Sequence, residues 1–351
     1  AVRDADPDEP GDQQLGVVFS IMNGRGGEST QGAPDEAKNI IAVGGTGSGR
    51  PGSPSGDDLC TCTAHGPNLD GRRLVDLVAP GQIVASVRAT QGTLCGIPPR
   101  EFPSPLHATC TGTSFASPHV SGAYAVFTQA FRDANGADPS PALVKAALVN
   151  TATDLSAFGG LDADGEPLGP VPNDQQGWGR LDLGQTMAQW NGGTVVFRDQ
   201  DRLFDASGDR EVFEVEVADA GAPLRATLTW TDAPGHGQGG GLAAWVNDLD
   251  LELVSPSGAV YRGNVFADGW STTGGGADWR NNLENVWVER PEAGTWTVRV
   301  LGTNIIGDGV PSDGDLTDQD FAVVVSNANE STSRRRPLPD RARRPGPDRR
   351  P

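Results

Sequence analysis

The segment Gly112-Thr113-Ser114-Phe115-Ala116-Ser117-Pro118 puts a serine where apolar residues begin to recur with helical spacing. A hydroxyl at a helix start sits in the positive field of that terminus, beside backbone N–H groups that no helical carbonyl takes. Such a place suits a nucleophile whose attack builds charge on a carbonyl oxygen. The small residues Gly112, Thr113 and Ala116 leave room for a substrate backbone. Pro118 is read as lying in the first turn, where its missing N–H costs nothing. The same residues also suit a serine that only caps a buried helix, so spacing alone leaves both roles open.

A second candidate lies far downstream, in Val246-Asn247-Asp248-Leu249-Asp250-Leu251. Residues two apart on an extended chain share a side, so Asp248 and Asp250 present paired carboxylates. With oxygens from Asn247, Asp232 or Asp278 they would hold Ca²⁺. The alternative is a solvent-facing strand whose Leu249 and Leu251 turn to the core. The four cysteines, Cys60, Cys62, Cys95 and Cys110, lack zinc spacing. They read as one or two disulfides of an oxidising, extracellular compartment, with unpaired thiols as the alternative. Cys95 and Cys110 bracket a Pro-rich loop, Ile97 to His107, and are the expected pair.

The elements that must position these residues follow from periodicity. Leu15 to Met22 is an apolar run closed by Asn23-Gly24, and Asn39 to Val43 is another; both read as buried strands of a parallel sheet. Leu74 to Ala79 and Gln82 to Val87 suggest extended pieces around a Pro80-Gly81 turn. From Ser114 to Phe131, Ala116, Val120, Ala123, Phe127 and Phe131 fall on one helical face. Ser140-Pro141 is an N-cap followed by proline at the first helical position. Strands alternating with helices imply an α/β layer. Beyond Gly192-Gly193 the pattern changes to period two, in Glu211–Val217, Leu224–Trp230, Leu249–Val254, Trp296–Leu301 and Phe321–Ser326. That is the pattern of an antiparallel β-sandwich.

Composition narrows the function classes. The 351 residues allow about two or three domains. Gly (48) and Pro (27) are too many for a helical bundle. No run reaches the ~20 apolar residues of a membrane span. The net charge is −19, but residues 331–351 hold eight Arg and two Asp, so the first 330 residues carry −25. A body this acidic repels phosphate backbones, which excludes nucleic acid as its partner. The Arg/Pro tail buries no core and is expected to be disordered. Only Lys38 and Lys145 are lysines.

The motifs carry a resemblance. Gly112 to Pro118 is similar to the G-T-S-x-A-x-P nucleophile segment of the subtilisin-like serine proteases, the subtilases or S8 peptidases. His65-Gly66-Pro67-Asn68-Leu69-Asp70-Gly71-Arg72, followed by Val75 to Gly81, resembles the family's S-x-G-P-x-x-D-G-R…P-D-x-x-A-P-G segment. Lys38 to Gly44 resembles its K-N-x-I-x-V-G strand, and Gln176 to Asp182 its closing segment. The resemblance covers roughly residues 15–190. It implies the C-terminal part of a subtilisin-like parallel-sheet domain over 1–192, acting on protein or peptide substrates by serine acylation. Ser114 is then the nucleophile and Asn23, after the strand Val17 to Met22, the oxyanion donor. Met22, which replaces the usual glycine, would line the substrate cleft with Gly112 and Thr113. Residues 193–329 resemble the jelly-roll of certain bacterial subtilases and the P-domain of proprotein convertases. Residues 330–351 are the tail.

The family orders its triad Asp, His, Ser, with the oxyanion Asn between His and Ser. Only 22 residues precede Asn23, and none is histidine. His65, His107, His119 and His236 all fit the base poorly. Five residues past Ser114, His119 points away from it. The expectation is an N-terminally incomplete chain, inactive alone, whose Asp and His lie on a missing segment or a separate chain. The alternative is a catalytically inactive relative whose sandwich binds Ca²⁺, glycan or protein.

Overall fold

The computed structural model describes residues 13–88, 105–238, 240–311 and 314–331. Three short strands, β1 (Val18–Ser20), β2 (Ile41–Gly47) and β3 (Leu77–Gln82), form a parallel sheet in that order. Val18 pairs with Ile41 and Val43 with Leu77. All seven residues of β2 are buried, as expected of a central parallel strand covered on both faces. The apolar run at residues 15–22 yields only three strand residues, and Phe19 is 38% exposed.

The expected turn at Pro80-Gly81 is absent, because β3 runs through both residues and Pro80 pairs with Thr46. A proline is tolerated there because β3 is the edge strand of its sheet. The chain breaks one step later, at Ile83, whose φ is 53°. It then forms β4 (Val84–Val87), antiparallel to β5 (His107–Cys110).

Helix α1 (Thr113–Asn135) buries Ala116, Val120, Ala123, Phe127 and Phe131, the predicted face. It begins at Thr113, so Pro118 is its sixth residue rather than part of its first turn. The Ser114 carbonyl therefore loses its i+4 partner, a cost the sequence reading missed. Helix α2 (Pro141–Asn150) starts as expected: the Ser140 hydroxyl accepts the Leu143 N–H at 2.9 Å, and Pro141 follows it. Helix α3 (Leu183–Asn191) is capped by Asp182, which accepts from Gln185 N–H at 2.8 Å.

Ten further strands follow. They are β6 (Val195–Phe204), β7 (Arg210–Val217), β8 (Leu224–Thr229), β9 (Asp248–Val254), β10 (Val260–Ala267), β11 (Trp270–Thr273), β12 (Leu283–Val288), β13 (Thr295–Asn304), β14 (Gln319–Ser326) and β15 (Ala328–Glu330). They form two antiparallel sheets, β11-β10-β9-β13-β7-β15 and β12-β8-β14-β6. Alternate residues of both sheets, among them Val215, Leu228, Leu251, Trp296, Val300 and Val323, fill one core.

The other face of the four-stranded sheet covers α2. Leu283, Trp287, Ala322 and Val324 join a single apolar cluster with α2, with Phe127 of α1 and with Val43 and Leu77 of the parallel sheet. All ten α2 residues are buried. The junction is also polar. Lys38, just before β2, donates to Asp232 at 2.6 Å and to the carbonyls of Ala233 and Ala244 at 2.5 and 2.7 Å. Burial pushes the Lys38 ammonium below the ordinary lysine range, against the pull of Asp232. Lys145 of α2 pairs with Asp76 at 2.9 Å and donates to Ile40 O at 2.8 Å.

Removing one partner of a buried pair leaves the other charge uncompensated. Lys38→Met and Asp232→Asn are each expected to lower the urea-unfolding free energy by about 3–5 kcal/mol. A loss under about 1 kcal/mol, the range of exposed pairs, would mean that water reaches the pair in solution.

Candidate active site

The site is assembled where α1 begins. Gly112 precedes the helix with φ 156°, and its N–H donates to Gly81 O at 2.9 Å, tying it to β3. On the facing side, the chain leaving β1 passes Ile21 and Met22 to Asn23. The Asn23 Oδ1 accepts the Thr113 N–H at 2.9 Å and the Thr113 hydroxyl at 3.2 Å. Thr113 Oγ1 also lies 3.0 Å from Met22 O. With Oδ1 so engaged, the Asn23 amide Nδ2 keeps both its N–H donors uncommitted among the described residues. A Cβ on Gly112 would lie 3.5 Å from that nitrogen. Ser114, the next residue of α1, is exposed, as is Asn23.

Asn23, Met22, Gly112, Thr113 and Ser114 thus come together from two segments some 90 residues apart in sequence. Met22 is left-handed, with φ 72°, and 49% exposed. That conformation suits glycine better. The loop after Asn23 is zipped to residues 62–66: Arg25 and Gly26 N–H donate to the Cys62 and Thr63 carbonyls at 3.2 and 2.8 Å, and Thr30 N–H donates to His65 O at 3.0 Å.

The histidines lie elsewhere. The His119 ring sits 2.8 Å from Phe115 O, on the helix's own backbone. His65 is buried, and burial pushes its imidazole below the ordinary range. His236 Nδ1 accepts the Gln238 N–H at 3.2 Å, in a loop of the sandwich. His107 lies on β5. Among the described residues, no histidine is hydrogen-bonded to the Ser114 hydroxyl.

The cysteines are oxidised, as expected, and none of the described ones is free. Cys60 and Cys62 form a disulfide across one residue, a link the sequence reading did not foresee. Cys110 is disulfide-bonded, while Cys95 lies outside the described residues. So does the Arg/Pro tail from residue 332 onward.

The family is established by comparison. The subtilase family model matches residues 4–179, half of the chain, and the chain belongs to the subtilase family. That family is a peptidase family. It is 26% identical over 289 residues to the serine protease/ABC transporter B family protein tagA of Dictyostelium discoideum, which covers 76% of this chain and 15% of that protein. It is 26% identical over 116 residues to the serine protease AprX of Bacillus subtilis (strain 168), covering 32% of this chain and 26% of that one. The chain therefore spans a minor part of the length of these relatives. Among solved structures, a lanthipeptide protease aligns over 51% of each chain with a TM-score of 0.40 and 18% identity. The serine protease of Aeromonas sobria aligns over 87% of this chain and 64% of that one, with a TM-score of 0.35 and 13% identity.

The second candidate cluster is more crowded than its sequence suggests. Leu249 and Leu251 point into the sandwich core, and Asp248 and Asp250 share the opposite side of β9. Asp250 is hydrogen-bonded to Thr303, yet its Oδ1 is buried without a partner. Glu284 of β12 is wholly buried; Oε2 accepts Leu251 N–H at 2.7 Å and Oε1 has no partner. Sequence reasoning did not single out Glu284, because only the approach of β9 buries it. The expected helpers are engaged elsewhere. Asp232 holds Lys38 and the N–H groups of Val246 and Asn247. The Asn247 amide spans Ile306, Gly307, Asp318 and Gln319. Asp278 accepts from Asn264, Asn281 and Arg280. Among the described residues no three His, Cys, Asp or Glu converge at metal-ligand spacing.

Burial, and then the charges of Asp250, Asp278 and Asp232, push the Asp248 carboxyl up to about 7. Burial also raises Asp250, and it raises Glu284 well above the carboxylate range. Such groups hold protons more tightly folded than unfolded, so stability falls as pH rises from the unfolded value toward the folded one. In divalent-free buffer these carboxyls are expected to lower the melting temperature as pH rises from about 4 to about 7, and Asp248→Asn and Glu284→Gln should each flatten that slope. Unchanged slopes in both variants would show these carboxyls to be hydrated.

Proposed function

We propose that this chain is the nucleophile-bearing part of a subtilisin-type serine endopeptidase acting on protein or peptide bonds. The observation that carries the reading is the Asn23–Thr113 contact, which leaves the Asn23 amide donors beside Gly112, at the residue preceding Ser114's turn of helix. Ser114 attacks the scissile carbonyl. The negative charge that develops on the carbonyl oxygen is met by Asn23 Nδ2 and by the Ser114 N–H, since the N–H groups of Gly112, Thr113 and Phe115 are already taken. Met22, Gly112 and Thr113 border the peptide. The base that takes the Ser114 proton, and the Asp that orients it, come from outside the described residues. The four histidines support this, since none is bonded to Ser114. Without a base a serine hydroxyl is a weak nucleophile, so the chain alone is inactive.

In this reading residues 1–192 are the peptidase-type domain, 193–329 a jelly-roll of the P-domain kind, and 330–351 an appended tail. The disulfides support secretion, because such bonds persist in oxidising compartments. For the sandwich we propose Ca²⁺ at Asp248 and Asp250. The unpartnered buried oxygens of Asp250 and Glu284 support a hard cation there. The side chains would have to draw together around it, so this ion orders the packing of β9 against β12 rather than joining the chemistry. A catalytically inert relative that binds Ca²⁺, glycan or protein is the competing reading, and it rests on the same missing base.

A fluorophosphonate probe decides the first point. The chain alone is expected to show neither labelling nor casein turnover; stoichiometric labelling of Ser114 with turnover would overturn the claim of inactivity. If a separately supplied Asp- and His-bearing segment restores labelling, Ser114→Ala should abolish it. Asn23→Ala should then lower kcat roughly 10²–10³-fold, the magnitude known for this donor in subtilisin itself. Labelling that stays absent with every such segment would favour the inert relative. For the ion, calorimetric titration should show Ca²⁺ heat that Asp248→Ala removes; no heat and no rise in melting temperature would reject it.

A further inference from the structure

The turn Cys60-Thr61-Cys62-Thr63 takes no part in the proposed chemistry, yet its backbone reaches both sides of the candidate site. Cys60 N–H donates to Gly45 O of β2 at 2.8 Å, and Thr63 Oγ1 accepts Gly45 N–H at 3.1 Å. The carbonyls of Cys62 and Thr63 hold Arg25 and Gly26, and Ala64 N–H reaches Met22 O at 3.3 Å. Asn23 lies between those points. Thr61 N–H donates to the Gln82 side chain at 3.0 Å, at the end of the strand whose Gly81 holds Gly112.

The disulfide that closes this turn spans a single intervening residue. In a chain-entropy account so small a ring restricts the unfolded chain less than a bond closing a long loop. The fold therefore tolerates its opening better. Cys60 is fully buried, whereas Cys62 is half-buried. Cys62 N–H donates to Cys60 Sγ at 3.1 Å. A donor on that sulfur stabilises it as a departing thiolate, and a lower leaving-group pKa speeds exchange.

We propose that Cys60–Cys62 is a thiol–disulfide exchange site that takes a small dithiol as reductant, and that its state sets the order of the loop Met22 to Gly26. A thiolate of the dithiol attacks Cys62 Sγ. The Cys60–Cys62 bond breaks, and its electron pair leaves on Cys60 Sγ. The dithiol's second thiolate then attacks its own sulfur in the mixed disulfide and releases Cys62. The protein gains two electrons and two protons, and the dithiol ends as a cyclic disulfide. With the turn opened, the carbonyls of Cys62 and Thr63 no longer hold the chain after Asn23 in one place. The effect on catalysis rests on Asn23 as oxyanion donor; the exchange site itself does not.

The test uses the full chain treated with dithiothreitol in native buffer, then alkylation with mass mapping and hydrogen exchange over residues 22–26. Cys60 and Cys62 are expected to alkylate while thermal unfolding stays cooperative. Amide exchange at Arg25 and Gly26 should quicken by about tenfold or more, with β12 unchanged, and return on reoxidation. A Cys60→Ser/Cys62→Ser chain should exchange fast with or without dithiothreitol; if it does not fold, the wild-type comparison decides alone. Cysteines that resist alkylation until the chain unfolds, or reduction that leaves Arg25 and Gly26 exchange unchanged, would overturn the proposal. Ser114 labelling is no part of this readout, so either proposal can fail while the other stands.

Discussion

A ten-residue helix with no side in water is the constraint on which the rest depends. Helix α2 lies between the parallel sheet and the four-stranded antiparallel sheet, and every one of its residues is buried. Its polar groups must then find partners inside the protein, because an unmet buried donor or acceptor costs about 1–3 kcal/mol. Most are met from both layers, the buried Asn150 Oδ1 being an exception. Lys145 turns to Asp76 and Ile40 O on one side. On the other, the Asn150 amide donates to Thr227 Oγ1 at 3.0 Å, and Thr229 donates to Ala142 O at 2.6 Å. The helix C-terminus receives Arg225 of β8, which donates to the carbonyls of Asn150 and Ala152 at 3.1 and 3.0 Å. That guanidinium has the Trp287 ring at 4.1 Å, and burial pushes it down to about 10. Its charge is answered by the negative end of the helix dipole and an aromatic face.

This arrangement reaches the candidate site through α1. Phe127 and Phe131 share the apolar cluster of α2 and meet Trp190 at a tilt and Phe197 edge-on, at ring distances of 5.4 to 6.2 Å. The C-terminal half of α1 is thereby anchored to the sandwich, while its N-terminal end is held by Gly81 and Asn23. A helix fixed at both ends presents Ser114 at one place relative to β3. The peptidase-type layer and the sandwich are thus mechanically one unit, although their strand patterns differ in kind.

Much of this was legible in the residues. The i, i+3, i+4 spacing of α1 foretold its buried face, Ser140-Pro141 foretold the start of α2, and period-two runs foretold the sandwich strands. These signals are local. The miss at Pro80-Gly81 has a clear reason: edge position in the sheet removes the penalty that makes proline a breaker, and edge position is not a local property. Likewise, only the approach of β9 turns Glu284 of β12 into a buried carboxyl. Asp232 looked like a metal ligand beside Asn247 and Asp248. The lysine that claims it stands 194 residues earlier, beyond any spacing argument.

The two lysines show the same logic in a chain whose other cations are all arginine. Both are buried, and each sits where acceptors converge on a point. Lys38 meets one carboxylate oxygen and two carbonyls within 2.7 Å. An ammonium offers three donors arranged around a point, and its small head fits that convergence. A guanidinium spreads five donors over a rigid plane and matches flat, paired acceptors instead. Arg198, which grips both oxygens of Glu330 at 2.6 and 3.0 Å near the surface, uses that geometry. The choice of cation therefore tracks the shape of the acceptor set. Where the chain must join its two parts through a small buried space, the acceptors left by loop carbonyls around Asp232 leave room for lysine and not for arginine.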